Sequence, residues 1–269
     1  MYSKINKLIF LSLLVSFLSC SSYQKILSSK DYPMKYDAAM KYVEEKEYNK
    51  AFPILEELVD VGVFRGTEKS EKLYYTYAYA YYHRKDYELA AHYFSAFYRN
   101  FTTSPLAEDA LYRQAYCWYL QSPEPNLDYS STEKAIQQLQ IFTNTYPQSG
   151  LVKDCNKLID NLRGKIELKT YNNAKLLYKI SDYKGAIVAL ENFATNYPLS
   201  IKREESMYLH VRSHYLLAEN SNISKQKERY EKTTTVASHF IESYPQSNWK
   251  DNVETIQRNS SRKITEKQL

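Results

Sequence analysis

Glycine is scarce in this chain, with five in 269 residues. Short alternating runs bounded by turn residues, the mark of hairpins and sandwiches, are also missing, which excludes a sheet protein. Cysteine is nearly as rare: Cys20, Cys117 and Cys155 are the only three, too few and too far apart for a disulfide framework. Whether Cys117 and Cys155 pair depends on a separation that the sequence does not supply. The longest apolar run, Leu8 to Leu18, has 11 residues and includes two serines. A membrane-spanning helix needs about 20. No block of five or six like charges occurs, so the charge pattern gives no case for a nucleic-acid partner. A nucleophile elbow, a glycine-rich phosphate loop and paired-cysteine metal motifs are absent too. His210 and His214 have the spacing of a zinc-protease histidine pair, but Val211 stands where that chemistry needs a glutamate. No catalysis, cofactor or metal is expected.

The first residues read as an address. MYSKINK supplies two lysines, and the 11-residue apolar run has the length of a signal-peptide core. Phe17, Leu18 and Ser19 lead into Cys20, which resembles the bacterial lipobox. That resemblance implies removal of residues 1–19 and acylation of Cys20, with several chains giving stable membrane attachment. Loss of Lys4 and Lys7 then lowers the formal charge from +5 to +3. Ser21 and Ser22 lack the acidic residue that in many envelopes retains a lipoprotein in the inner membrane. An outer-membrane, lipid-anchored protein facing the periplasm is the expectation, with residues 20–32 as lipidated terminus and tether.

The stretch YYTYAYAYY, Tyr74 to Tyr82, has six tyrosines in nine residues. Period two argues a strand, whereas Tyr74, Tyr77 and Tyr81 argue a helix. An internal repeat arbitrates. DYKGAIVALENFATNYP (182–198), STEKAIQQLQIFTNTYP (131–147) and RYEKTTTVASHFIESYP (229–245) share one frame, with diverged copies at 86–101 and 47–62. A small residue (Ala51, Ala90, Ala135, Ala186, Thr233) is followed four later by Leu55, Phe94, Leu139, Leu190 or Ala237. Three further on come Leu58, Phe97, Phe142, Phe193 and Phe240. Pro147, Pro198 and Pro245 stop the helix. This is the second half of a tetratricopeptide repeat, and Ala39, Ala78, Ala115, Ala174 and Val211 mark the first halves. The expected fold is all-α, a right-handed superhelix of about five tetratricopeptide-like helix pairs over residues 33–262. N-terminal repeats would span 33–150, C-terminal repeats 151–262 and a tail 263–269. Copies stand 39, 45, 51 and 47 residues apart, and the excess over the standard repeat is assigned mainly to polar loops such as 121–131 and 218–228.

In that register, Tyr74, Tyr77 and Tyr81 belong to a packing row. Lys72, Tyr75, Tyr79, Tyr82 and His83 fall on the row facing the concave groove. Tyr75 aligns with Tyr36, Tyr112, Tyr171 and Tyr208, so every repeat carries a tyrosine there. Such a stripe either fills the seam between helices or forms a ladder of rigid amphipathic anchors for a peptide. On the second reading Tyr36, Lys72, Tyr75, Tyr79, Tyr82, His83, Tyr112 and Tyr116 form a peptide-binding groove.

The segments AYAYYHRKDYELAAHYFSAFYRNFTTSPLAEDALYRQAYCWY (78–119) and DYSSTEKAIQQLQIFTNTYPQS (128–149) give the chain a wider likeness. With the lipobox and five repeats, it resembles the BamD family of outer-membrane β-barrel assembly lipoproteins. The resemblance implies a non-enzymatic role in inserting β-barrel proteins into the outer membrane. Implied partners are the periplasmic domains of the barrel-forming subunit, unfolded outer-membrane proteins whose C-terminal segment ends in an aromatic residue, and other assembly lipoproteins. Two other readings share these features: a periplasmic tetratricopeptide scaffold coordinating envelope processes, and a glycan-binding lipoprotein of a nutrient-uptake system.

Overall fold

The structure is a computed structural model that describes residues 22–124 and 129–266. The expected signal peptide, Cys20 and the last three residues of the tail lie outside the described residues.

All regular elements among the described residues are helical. They are α1 (residues 22–28), α2 (Tyr32–Glu44), α3 (Tyr48–Val61), α4 (Glu68–His83), α5 (Tyr87–Asn100), α6 (Ala107–Leu120), α7 (Ser130–Thr145), α8 (Val152–Lys179), α9 (Tyr183–Asn196), α10 (Arg203–Glu219), α11 (Ile223–Ser243) and α12 (Lys250–Glu266). YYTYAYAYY lies wholly within α4. The described residues divide into two compact units, one holding 22–123 and 129–162 and the other 124 and 163–266, so the boundary falls inside α8.

Within each unit, neighbours in sequence pack against each other: α2 on α3, α3 on α4 and so on to α7, then α9 on α10, α10 on α11 and α11 on α12. First helices also touch across a pair, α2 with α4 and α10 with α12. This is the nearest-neighbour packing of a tetratricopeptide-like array. The repeat frame accounts for it. Ala51, Ala90, Ala135, Ala186 and Thr233 are fully buried where paired helices cross, and so are Ala39 and Ala78 opposite them. Only small side chains let the two backbones approach so closely.

Local chemistry sets the boundaries. Asp31, Asp86 and Asp182 each accept a backbone N–H from the first turn of α2, α5 and α9. Each of the turns before α3, α5 and α9 contains a left-handed residue, Lys46, Lys85 and Ser181, with φ of 60°, 64° and 65°. At the other end, the amides of Phe101, Tyr146, Tyr197 and Tyr244 bond back to Phe97, Phe142, Phe193 and Phe240. Ser104, Ser149, Ser200 and Ser247 then accept the amide two residues on, closing four equivalent turns.

Three segments differ from the sequence expectation. Residues 22–28, read as tether, form a helix docked on the first pair. The Tyr23 hydroxyl donates to the Lys50 carbonyl at 3.1 Å, and buried Lys35 donates to the Leu27 carbonyl at 2.8 Å while pairing with Glu57. The polar stretch 218–228 is mostly helix, because α11 begins at Ile223; its two lysines, two glutamates and single glutamine favour helix and need only a solvated face. The longest spacing, 51 residues, is taken up by the 28-residue α8 rather than by a loop. Its first turns give Cys155, Ile159 and Leu162 to the core of the first unit, and its last turns give Ala174 to that of the second.

Candidate aromatic groove

The tyrosines of α4 separate into two rows. Tyr77 and Tyr81 are buried, 2% and 7% exposed, with hydroxyls 3.1 Å apart and rings against Phe52 and Tyr93. Tyr74, half-buried, faces Phe101. One helical face away, Tyr75, Tyr79 and Tyr82 are half-buried and stack in sequence, with centroids 6.1 Å apart at each step and ring planes within 25° of parallel.

The ladder is fixed from beneath by apolar rings and from the side by charge. Tyr75 meets Phe94 and Phe97 edge-on at 5.7 and 5.4 Å. Its hydroxyl donates to Asp109 and accepts from Arg113 Nε at 3.1 Å; Arg113 also pairs with Asp109 at 2.5 Å. The Arg113 guanidinium lies 4.8 Å from the Tyr79 ring centre and 5.7 Å from that of Tyr82, within cation–π range. Burial disfavours the charged form of Arg113, yet Tyr75 and Asp109 hold its pKa above the usual arginine value. Burial first, and Asp109 second, raise the Tyr75 hydroxyl well above a free tyrosine. Arg113 is a cation and Tyr75 a neutral phenol at any physiological pH.

The other groove residues take distinct places. His83, exposed, ends the ladder: it touches Tyr79 and Tyr82 edge-on and stacks flat on Tyr48 of α3 at 3.9 Å. Burial of the ring, then Arg113 and Lys46, lower its pKa, keeping it neutral near pH 7. Lys72 is exposed on the same helix. In the next repeat Tyr112, Tyr116 and Tyr119 stack at 5.8 and 5.7 Å, with Tyr112 edge-on to Phe142. Burial, followed by Cys155 and Tyr116, pushes the Tyr112 hydroxyl up to about 12. Tyr36 is 7% exposed, edge-on to Phe64 at 5.2 Å and covered by Lys69 at 4.5 Å, so it sits in the seam of its repeat.

One structural rule emerges. The tyrosine aligned in every repeat leans on that repeat's phenylalanines in four cases: Tyr75, Tyr112, Tyr171 on Phe193 and Tyr208 on Phe240. The tyrosines one and two turns further along, Tyr79, Tyr82, Tyr116 and Tyr119, supply the stacked faces. Arg113, Asp109 and Tyr48 complete the groove and were not expected from sequence. The signal for the first two was the i, i+4 pair Asp109 and Arg113 on a helix that also carries Tyr112 and Tyr116.

Among the described residues no group of three or more histidine, cysteine, aspartate or glutamate side chains is placed to hold a metal. Cys117 and Cys155 are free and buried, and burial pushes their thiols up to about 12 and about 11. No helix among the described residues is long and apolar enough to cross a membrane.

Paired helices in nearest-neighbour order, with stacked aromatics presented from first helices, define a helical-repeat protein of tetratricopeptide-like architecture. A family model, YfiO, described as outer membrane lipoprotein, matches residues 29–176 and again 164–259. The chain belongs to that family of outer membrane lipoproteins. No curated protein matches the sequence.

Proposed function

We propose that this protein is a non-enzymatic component of the machinery that inserts β-barrel proteins into the outer membrane. It is anchored through lipid on Cys20 and faces the periplasm. The first unit captures an extended, aromatic-ended segment of an unfolded client along the tyrosine ladder. The second unit holds the periplasmic domains of the barrel-forming subunit, and other assembly lipoproteins complete the complex. Capture and hand-over need no bond chemistry.

The observation that carries this reading is the ladder Tyr75, Tyr79 and Tyr82 bracketed by Arg113, in a member of an outer membrane lipoprotein family. Flat, half-buried rings with a cation along one side suit successive aromatic side chains of an extended peptide, each stacked contact being worth about 0.5–1.5 kcal/mol beyond its buried area. A fluorescein-labelled peptide of alternating aromatic and polar residues ending in phenylalanine tests it. The full chain should bind it, and Tyr79→Ala should weaken binding by roughly tenfold, about 1.4 kcal/mol. Unchanged affinity would remove the ladder from client capture. In cells, depletion should lower many outer-membrane proteins together; loss of a single envelope process would favour the scaffold reading instead.

A further inference from the structure

At the His83 end the ladder does not stop at open surface. A cavity of about 310 Å³ opens there between the turn preceding α3 and the end of α4, lined by Lys46, Glu47, Tyr48, Lys50, His83 and Arg84. Tyr48 and His83 belong to both places. They stack on each other at 3.9 Å, and each also touches Tyr79, at 6.3 and 4.4 Å. A peptide lying on the ladder would reach the cavity without leaving the protein surface.

The lining of the cavity is net positive. Three cations face one carboxylate, leaving a surplus of two positive charges. Glu47 is already matched by Lys50 at 2.5 Å, so the surplus rests on Lys46 and Arg84. The Arg84 guanidinium carbon lies 3.8 Å from the Phe52 ring centre, a cation–π contact that holds the group without neutralising it. Lys46 is exposed and projects from a left-handed turn. The acid that starts α3 also differs from its counterparts. Asp86 and Asp182 cap their helices, whereas Glu47 makes no cap bond and leaves the first amides of α3 to add partial positive charge. At this volume, near the bottom of the range for small-molecule sites, there is room for a carboxylate and its own residue.

We infer that this basic cavity receives the free α-carboxylate of the client, so that the groove reads the end of a chain and not merely an aromatic segment. The inference rests on the capture reading above. With the carboxylate at Lys46 and Arg84, the terminal aromatic ring meets Tyr48 and His83, and the preceding residues run toward Tyr79, Tyr82 and Arg113. Register is thereby set from the chain end, which a row of similar tyrosines alone does not do. His83, neutral, serves as a flat face and hydrogen-bond partner, leaving the charge to Lys46 and Arg84.

The test compares two versions of one aromatic-ended peptide, with a free C-terminal acid and with a C-terminal amide, binding to the unaltered full chain. The acid form should bind about tenfold tighter, as expected for charge-assisted hydrogen bonds, and the difference should shrink with added salt. In Lys46→Asn/Arg84→Gln the two should bind alike, with the amide's affinity unchanged. Asparagine suits the left-handed turn at position 46. Equal affinity of acid and amide for the unaltered chain would overturn this inference and leave ladder capture standing; an anion-seeking cavity that took acidic side chains would give that same result. Failure of both peptides to bind would overturn both.

Discussion

Along the tyrosine stripe of α4, Tyr77 and Tyr81 fill the seam between helices, whereas Tyr75, Tyr79 and Tyr82 each keep part of the ring open. Tyr75 leans edge-on against Phe94 and Phe97 and has a hydroxyl tied to Asp109 and Arg113, so it packs α4 on α5 and bonds it to α6 as well as presenting a face. Tyr79 has rings and a guanidinium beside it, and its hydroxyl makes no hydrogen bond to the described residues. Tyr75→Ala should therefore cost about 3 kcal/mol of stability and Tyr79→Ala about 1 kcal/mol, measured as the shift in urea midpoint at unchanged slope. Equal costs would mean that both tyrosines are core residues. The sequence register already separates buried Tyr77 and Tyr81 from half-buried Tyr75, Tyr79 and Tyr82, because helical period alone assigns faces. It does not show that Arg113 crosses from α6 to cover α4. That contact depends on how far apart neighbouring helices lie, and the spacing within one helix is silent on it.

At the scale of elements, the legible part is whatever one helix pair specifies by itself. The crossing alanines, the phenylalanines three residues past each apolar anchor, and the proline stops all lie where the frame puts them, since each is fixed by contacts inside one repeat. Less legible are α1, the early start of α11 and the length of α8. These segments are polar and helix-competent, and whether they coil or fold depends on what they land on. Lys35 is a clear case: as a lysine on α2 it reads as solvated, yet it is buried because Glu57 and the Leu27 carbonyl receive its charge. The turn between paired helices offers a clean test of local geometry. Lys85 holds φ of 64° without being glycine, a conformation that costs an L-residue about 1–2 kcal/mol. Lys85→Gly should raise stability by about 0.5–1 kcal/mol net of the greater freedom of unfolded glycine, and Lys85→Val should lower it. Both are readable in chemical denaturation.

Across the whole molecule the two units should answer acid differently, and the reason lies in α10. His210 and His214 are 4% and 9% exposed with rings 4.7 Å apart, and neither ring nitrogen of His210 has a hydrogen-bond partner. Burial pushes both imidazoles down to about 4. Lys232 of α11 adds to this for both, His239 of α11 for His210 and His210 for its neighbour, while only Glu191 of α9 pulls His214 the other way. Both pKa values lie below the ordinary histidine value of about 6.5, so the folded state holds these rings neutral and the unfolded chain protonates first as pH falls. Their contribution is complete above about pH 6.5 and drains away as pH drops toward 4, on the order of 3 kcal/mol for the interacting pair. In the first unit His83 is also lowered, but it is exposed and solvent screens it. Hydrogen exchange at pH 7 and pH 5, corrected for the intrinsic pH dependence of exchange, should therefore show α10 and α11 losing protection while α4 to α7 keep theirs. In His210→Leu/His214→Leu the selective loss should vanish. Uniform loss across both units, or persistence of the α10 effect in the double variant, would assign the acid response to groups other than this pair.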